Sequence, residues 1–142
     1  MEINKYMVKA KGKAFDEKLN NEWIYGYYTI DSYSNHEILD AKFNCACFTG
    51  IYPDTICRPT MLLDKNGNMI WENDVVRTKH NEIKIVKCFS QYARWGLSSN
   101  AEEDKMPMLL TKFERLEVLG NIYDNPELLQ TEDDLKEIIE GD

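Results

Sequence analysis

Leu116-Glu-Val-Leu-Gly-Asn-Ile-Tyr-Asp-Asn-Pro-Glu-Leu-Leu129 reads as a strand that breaks at Gly120-Asn121 and passes into a proline-started helical turn. Leu116 and Val118 alternate with Glu117, the period-2 pattern of a half-buried strand. Gly120-Asn121 offers a bulge or a left-handed backbone position at low steric cost. Asn125-Pro126 supplies a cap residue and then proline at the first helical position, where its missing N–H costs nothing. Backbone shape accounts for these residues, and no reactive chemistry does.

The preceding segments carry the same kind of signal. Met61-Leu-Leu63 is a predicted strand, Asp64-Lys-Asn-Gly67 a turn, and Asn68 to Trp71 the returning strand. Asn-Gly between apolar runs is the strongest short-range hairpin signal. Glu72-Asn-Asp74 makes the next turn, Val75-Val-Arg-Thr78 a strand, and Ile83 to Phe89 a long strand with Ile83, Ile85, Lys87 and Phe89 on one face. Gly96 to Lys105 is polar and aperiodic and reads as a mobile loop, with further strands over Met106 to Leu110 and Phe113 to Tyr123. Upstream, Glu22 to Ile30 is a strand with Trp23, Tyr25 and Tyr27 on one face, and Gly26 permits a bend or a close backbone approach. A first strand near Met7-Val8, a loop over Asp31 to Asn35 and a short strand from His36 complete the reading. Short strands separated by tight polar turns suggest a small barrel or sandwich. Thr131 as cap, Glu132-Asp-Asp134 in the first turn and an apolar stripe at Leu135, Ile138 and Ile139 predict a short C-terminal helix.

Leu119-Gly-Asn-Ile-Tyr-Asp-Asn-Pro-Glu-Leu-Leu129 resembles the closing signature of the YopX protein family of phages and prophages. Asp64-Lys-Asn-Gly-Asn-Met-Ile-Trp-Glu-Asn-Asp-Val-Val76 is similar to that family's middle block, and Trp23-Ile-Tyr-Gly26 to its early element. Asn73 stands where the family pattern has glycine, and asparagine is the non-glycine residue that best tolerates the positive φ such a turn requires. The resemblance implies a mainly-β fold with an SH3-like barrel and no established biochemical activity. The expected organisation is a β-barrel domain over residues 1–129, with 1–57 as an N-terminal strand extension and 58–129 as the barrel core. Residues 130–142 form an acidic amphipathic tail.

Charge is unevenly spread. The chain of 142 residues has a net charge of −8, but residues 100–142 carry −9 while residues 51–99 carry +2. A near-neutral barrel with an acidic end lacks the basic face that duplex DNA requires. No apolar run reaches membrane-spanning length, which places the expected site of action in the cytoplasm of the host bacterium.

No reactive constellation emerges. Cys45 and Cys47 lie one residue apart and Cys57 and Cys88 farther on, which does not match zinc-knuckle spacing, so free and mostly buried thiols are expected. His36 and His80 have no neighbouring acid or nucleophile. Asp64 to Asn68 looks like part of a calcium loop, but its glycine falls at position four and Val75 stands where a glutamate is needed. Glu72 and Asp74 flank a turn, where carboxylates bond nearby backbone N–H groups.

The expected function is that of a non-enzymatic accessory protein, an interaction or self-assembling module without metal or cofactor, contacting a second copy or a host or phage protein. Binding of single-stranded nucleic acid is the alternative. It would use basic and aromatic residues of the middle region, Trp71, Arg77, Lys87, Tyr92, Arg94 and Trp95. Inhibition of a host protein through the acidic end is a third reading.

Overall fold

The computed structural model describes residues 2–13, 20–41, 47–90, 94–98, 108–109 and 115–129. The chain is mainly β, with antiparallel pairing throughout the described sheets. It divides into two compact units, Met1–Met61 and Leu62–Asp142.

The N-terminal unit holds β1 (Val8–Lys11), β2 (Trp23–Ile30), β3 (His36–Asp40) and β4 (Phe48–Gly50), hydrogen-bonded in that order. Beyond its ends the sheet curls back on itself. Gly12 bridges Ile51, Lys13 N–H donates to Gly50 O at 2.8 Å, and Tyr52 N–H donates to Lys11 O at 2.9 Å. Ala10, Ile38 and Ile51 are buried on the concave side with Val8, Ile24 and Ile56 packed against them. A Cβ on Gly26 would sit 1.9 Å from the Leu39 carbonyl oxygen, so β2 and β3 approach closely there, as its place in the sequence suggested.

In the C-terminal unit a five-stranded sheet runs β10-β9-β8-β7-β11. These strands are β7 (Asp74–Arg77), β8 (Ile83–Phe89), β9 (Arg94–Ser98), β10 (Met108–Leu109) and β11 (Glu117–Asn121). A separate pair joins β5 (Pro59–Leu63), which crosses the division between the units, to β6 (Met69–Trp71). Ile70, Val76, Val86, Leu97 and Leu116 form the buried cluster, with Leu62, Trp95 and Val118 packed on it. Each such side chain contributes roughly 1.5–3 kcal/mol relative to exposure.

The deciding stretch behaves as its residues require. The β11–β7 register shifts between Val118 and Gly120, which is the bulge. Asn121 Oδ1 then accepts the N–H groups of Tyr123 (3.0 Å) and Asp124 (2.9 Å), and Pro126–Leu129 forms a 3-10 turn. Asn73 takes φ 68, as expected of asparagine at that turn, and Gly67 takes φ 84 in the hairpin.

Three expectations need correction or fall elsewhere. Gly96–Ser98 is strand β9 and not loop, because Leu97 is buried opposite Val86. The sheet of the C-terminal unit is open among the described residues, so a closed barrel is not what its strand order gives. The expected C-terminal helix lies outside the described residues. Among those residues no helix is long and apolar enough to cross a membrane.

Candidate functional site

Period-2 alternation separates the middle-region residues predicted to bind. Arg77, Lys87 and Arg94 fall on one face of the five-stranded sheet, whereas Trp95 falls on the other and packs on the core. Trp71 sits on β6 and is 6% exposed, too buried to stack on a ligand. Lys87 Nζ donates to Asn73 Oδ1 at 2.7 Å, and Arg77 Nη1 lies 3.5 Å from Glu117 Oε2. Tyr92 is outside the described residues. These side chains form no joint aromatic-basic platform.

The carboxylates of the middle block are occupied by backbone. Asp64 is buried and accepts the N–H groups of Asn66 (2.9 Å), Asn68 (2.8 Å) and Val118 (3.0 Å), tying the hairpin turn to β11. Burial alone would raise its carboxyl, but donation from Val118, Asn68 and Asn66 outweighs that and holds it below the ordinary value of 3.8. Asp74 accepts Trp71 N–H at 2.8 Å, the turn role expected of it. Among the described residues no three of His, Cys, Asp or Glu gather as metal ligands. Cys57 is a buried thiol donating to Thr55 O, and Cys88 is a half-buried thiol. Cys47 is disulfide-bonded, which corrects the expectation that its thiol is free.

The surface that does assemble is the convex face of the N-terminal sheet. With Ala10, Ile24 and Ile38 directed inward, the register places Lys9, Lys11, Trp23, Tyr25, Tyr27 and Leu39 on the other face, where Lys9 is buried and Leu39 half-buried. Leu39 pairs with Tyr27 on one side and Phe48 on the other, so one row crosses three strands. Tyr27 is 43% and Phe48 55% exposed. The Lys9 and Lys11 ammonium groups each lie 4.5 Å from the Trp23 ring, and Asn4 Nδ2 donates to Tyr27 Oη at 2.9 Å. Glu37 occupies the far row of the same face, opposite Gly50. The signal for this face was in the sequence. Aromatics alternate at Trp23, Tyr25 and Tyr27, with Ile24 and Gly26 between them in the opposite register.

A cleft of about 700 Å³ in the same unit is lined by Lys13, Asn20, Asn35, His36, Glu37 and Tyr52. His36 Nδ1 hydrogen-bonds Tyr28 Oη and the two rings stack at 5.9 Å, while Tyr52 Oη donates to Asn20 Oδ1 at 3.0 Å. Ile51 and Pro53 add apolar surface to this lining, and the polar pairs Tyr28–His36 and Tyr52–Asn20 bond to each other.

The model of the YopX protein family matches residues 3–130, nearly the whole chain. The chain belongs to the YopX family. No curated protein matches it. The YopX match covers both units, so the convex face and the Asp64 and Asn73 turns all lie within the family's extent.

Proposed function

We propose that this YopX-family chain is a non-enzymatic phage or prophage accessory protein acting in the host cytoplasm. In this reading it is a self-associating module whose contact surface is the convex face of the N-terminal sheet. The observation that carries the reading is the Tyr27–Leu39–Phe48 row, in which exposed Tyr27 and Phe48 flank the half-buried Leu39. Contiguous apolar surface of this kind marks interaction sites. A second copy suits the charge pattern, because Lys11 and Glu37 lie at opposite ends of the face. A two-fold contact brings the lysine end of one copy onto the glutamate end of the other. The five-stranded antiparallel sheet of the C-terminal unit supports retaining the SH3-like architecture as part of the proposal.

Light scattering over a concentration series tests this. Full-length protein is expected to dimerise and Phe48→Ser to remain monomeric. A wild-type chain that stays monomeric throughout removes the self-association reading.

Single-stranded nucleic-acid binding is the second reading. Its best support is this same face, where Lys11 lies over Trp23 beside Tyr25 and Tyr27. Oligonucleotide binding at about 50 mM salt that fails with Lys11→Gln would favour it over self-association.

A further inference from the structure

A constellation unused by the proposed function lies in the C-terminal unit. A cavity of about 340 Å³ is lined by Lys65, Arg77, Lys79 and Arg115, with Thr78 and Glu117 among the other lining groups. Backbone geometry brings these cations together from three segments. Lys65 N–H donates to Leu116 O at 2.8 Å, which sets the hairpin turn beside the start of β11. Arg77 pairs across strands with Glu117. Lys79 enters on the turn after β7, held where Thr78 Oγ1 accepts the N–H groups of His80 (3.3 Å) and Glu82 (3.2 Å).

One carboxylate serves this group. Glu117 Oε2 lies 3.4 Å from Lys65 Nζ and 3.5 Å from Arg77 Nη1. Among the described lining residues, four cations against one carboxylate leave a surplus of positive charge in a chain whose net charge is −8. All four cationic side chains are solvent-exposed, so an incoming anion meets them without rearranging the core. Among the described residues no aromatic side chain lines the cavity, so they offer no surface on which to read a base. Its volume lies near the lower end of ligand sites, sufficient for a compact anion. Two guanidinium forks beside two ammonium groups match the charge and oxygen geometry of phosphate.

We infer that this groove binds a phosphate group, carried either by a small molecule or by a nucleic-acid backbone, independently of the convex face. Arg77 and Arg115 supply forked donors, Lys65 and Lys79 supply point charges, and Glu117 orients Lys65 and Arg77 until the anion arrives.

The test is calorimetric titration of the full chain with pyrophosphate and, separately, with a short single-stranded oligonucleotide at low salt. Both are expected to bind. The double variant Lys79→Gln/Arg115→Gln should weaken binding by about tenfold or more, the scale of lost charge-assisted hydrogen bonds. Glu117→Gln should tighten it, because Lys65 and Arg77 lose their internal partner. Binding of oligonucleotide alone, weakened by the double variant, assigns the phosphate to a polymer backbone. No binding of either probe, or binding unchanged by the double variant, overturns the inference. Amide shifts of wild-type protein on adding pyrophosphate need no variant. They should centre on residues 77–79 and 115–117, and shifts confined elsewhere also overturn it.

Discussion

Asn73 Nδ2 donates to Tyr123 Oη at 3.0 Å, joining two turns fifty residues apart. The same asparagine accepts Lys87 Nζ on Oδ1, donates its N–H to Val86 O at 2.8 Å, and accepts Ile122 N–H on its carbonyl at 3.1 Å. The turn between β6 and β7 therefore clamps both β8 and the end of β11. Asparagine at this position satisfies the left-handed backbone and adds two side-chain bonds.

Asn73→Gly should accordingly destabilise the protein, even though glycine suits φ 68. Loss of two hydrogen bonds, about 1 kcal/mol each, outweighs the few tenths gained in backbone ease. Tyr123→Phe should cost about 1 kcal/mol, and a double-mutant cycle by urea unfolding should show coupling of similar size. Zero coupling would mean that the bond contributes nothing.

Asp64 predicts an acid-sensitive hairpin. Its folded carboxyl titrates below 3.8, so its contribution is present above that value and is lost as pH falls through the lower folded value. Asp64→Ala should cost about 3 kcal/mol at neutral pH, since three backbone donors lose their acceptor. The gap between wild type and variant should narrow in acid. Denaturant midpoints measured from pH 7 to pH 2 check this, and a constant gap contradicts it.

Gly26 and Gly67 should respond differently to alanine. At Gly26 the new Cβ meets the Leu39 carbonyl, so β2 and β3 must part, at a cost of about 3 kcal/mol or more. At Gly67 no atom lies within 4 Å, and only the left-handed φ of 84 opposes alanine, by about 1 kcal/mol. Thermal melts should rank them in that order.

Leu97→Ala tests the strand that the sequence disguises as loop. Leu97 is buried in the core cluster, so the substitution should cost about 3 kcal/mol. Leu63→Ala, at a residue 59% exposed, should change stability by less than about 0.5 kcal/mol. Equal effects would place Leu97 outside the core.

Local signals were legible wherever one residue has one physical use. The bulge at Gly120, the proline-started turn at Pro126, the Gly67 hairpin and the Asp74 turn could all be read from neighbours in the chain. So could the strand Ile83–Phe89, with Ile83, Ile85 and Phe89 recurring on one face. Gly96–Ser98 was not, because Gly and Ser beside a single leucine look like loop until pairing with β8 buries them.

Sequence alone thus determined most of the strands, Gly96–Ser98 excepted, and where the backbone must turn, since these follow from steric preference and period-2 alternation. It could not decide what each face meets. Lys87 and Arg77 looked like surface charges near usable aromatics, yet register gives them Asn73 and Glu117 as partners and sends Trp71 and Trp95 toward packed interiors. Likewise the curl of the N-terminal sheet, set by contacts between residues such as Gly12 and Ile51, turned Trp23, Tyr25 and Tyr27 outward. Curvature and long-range register depend on pairs distant in the chain, and no local pattern contains them.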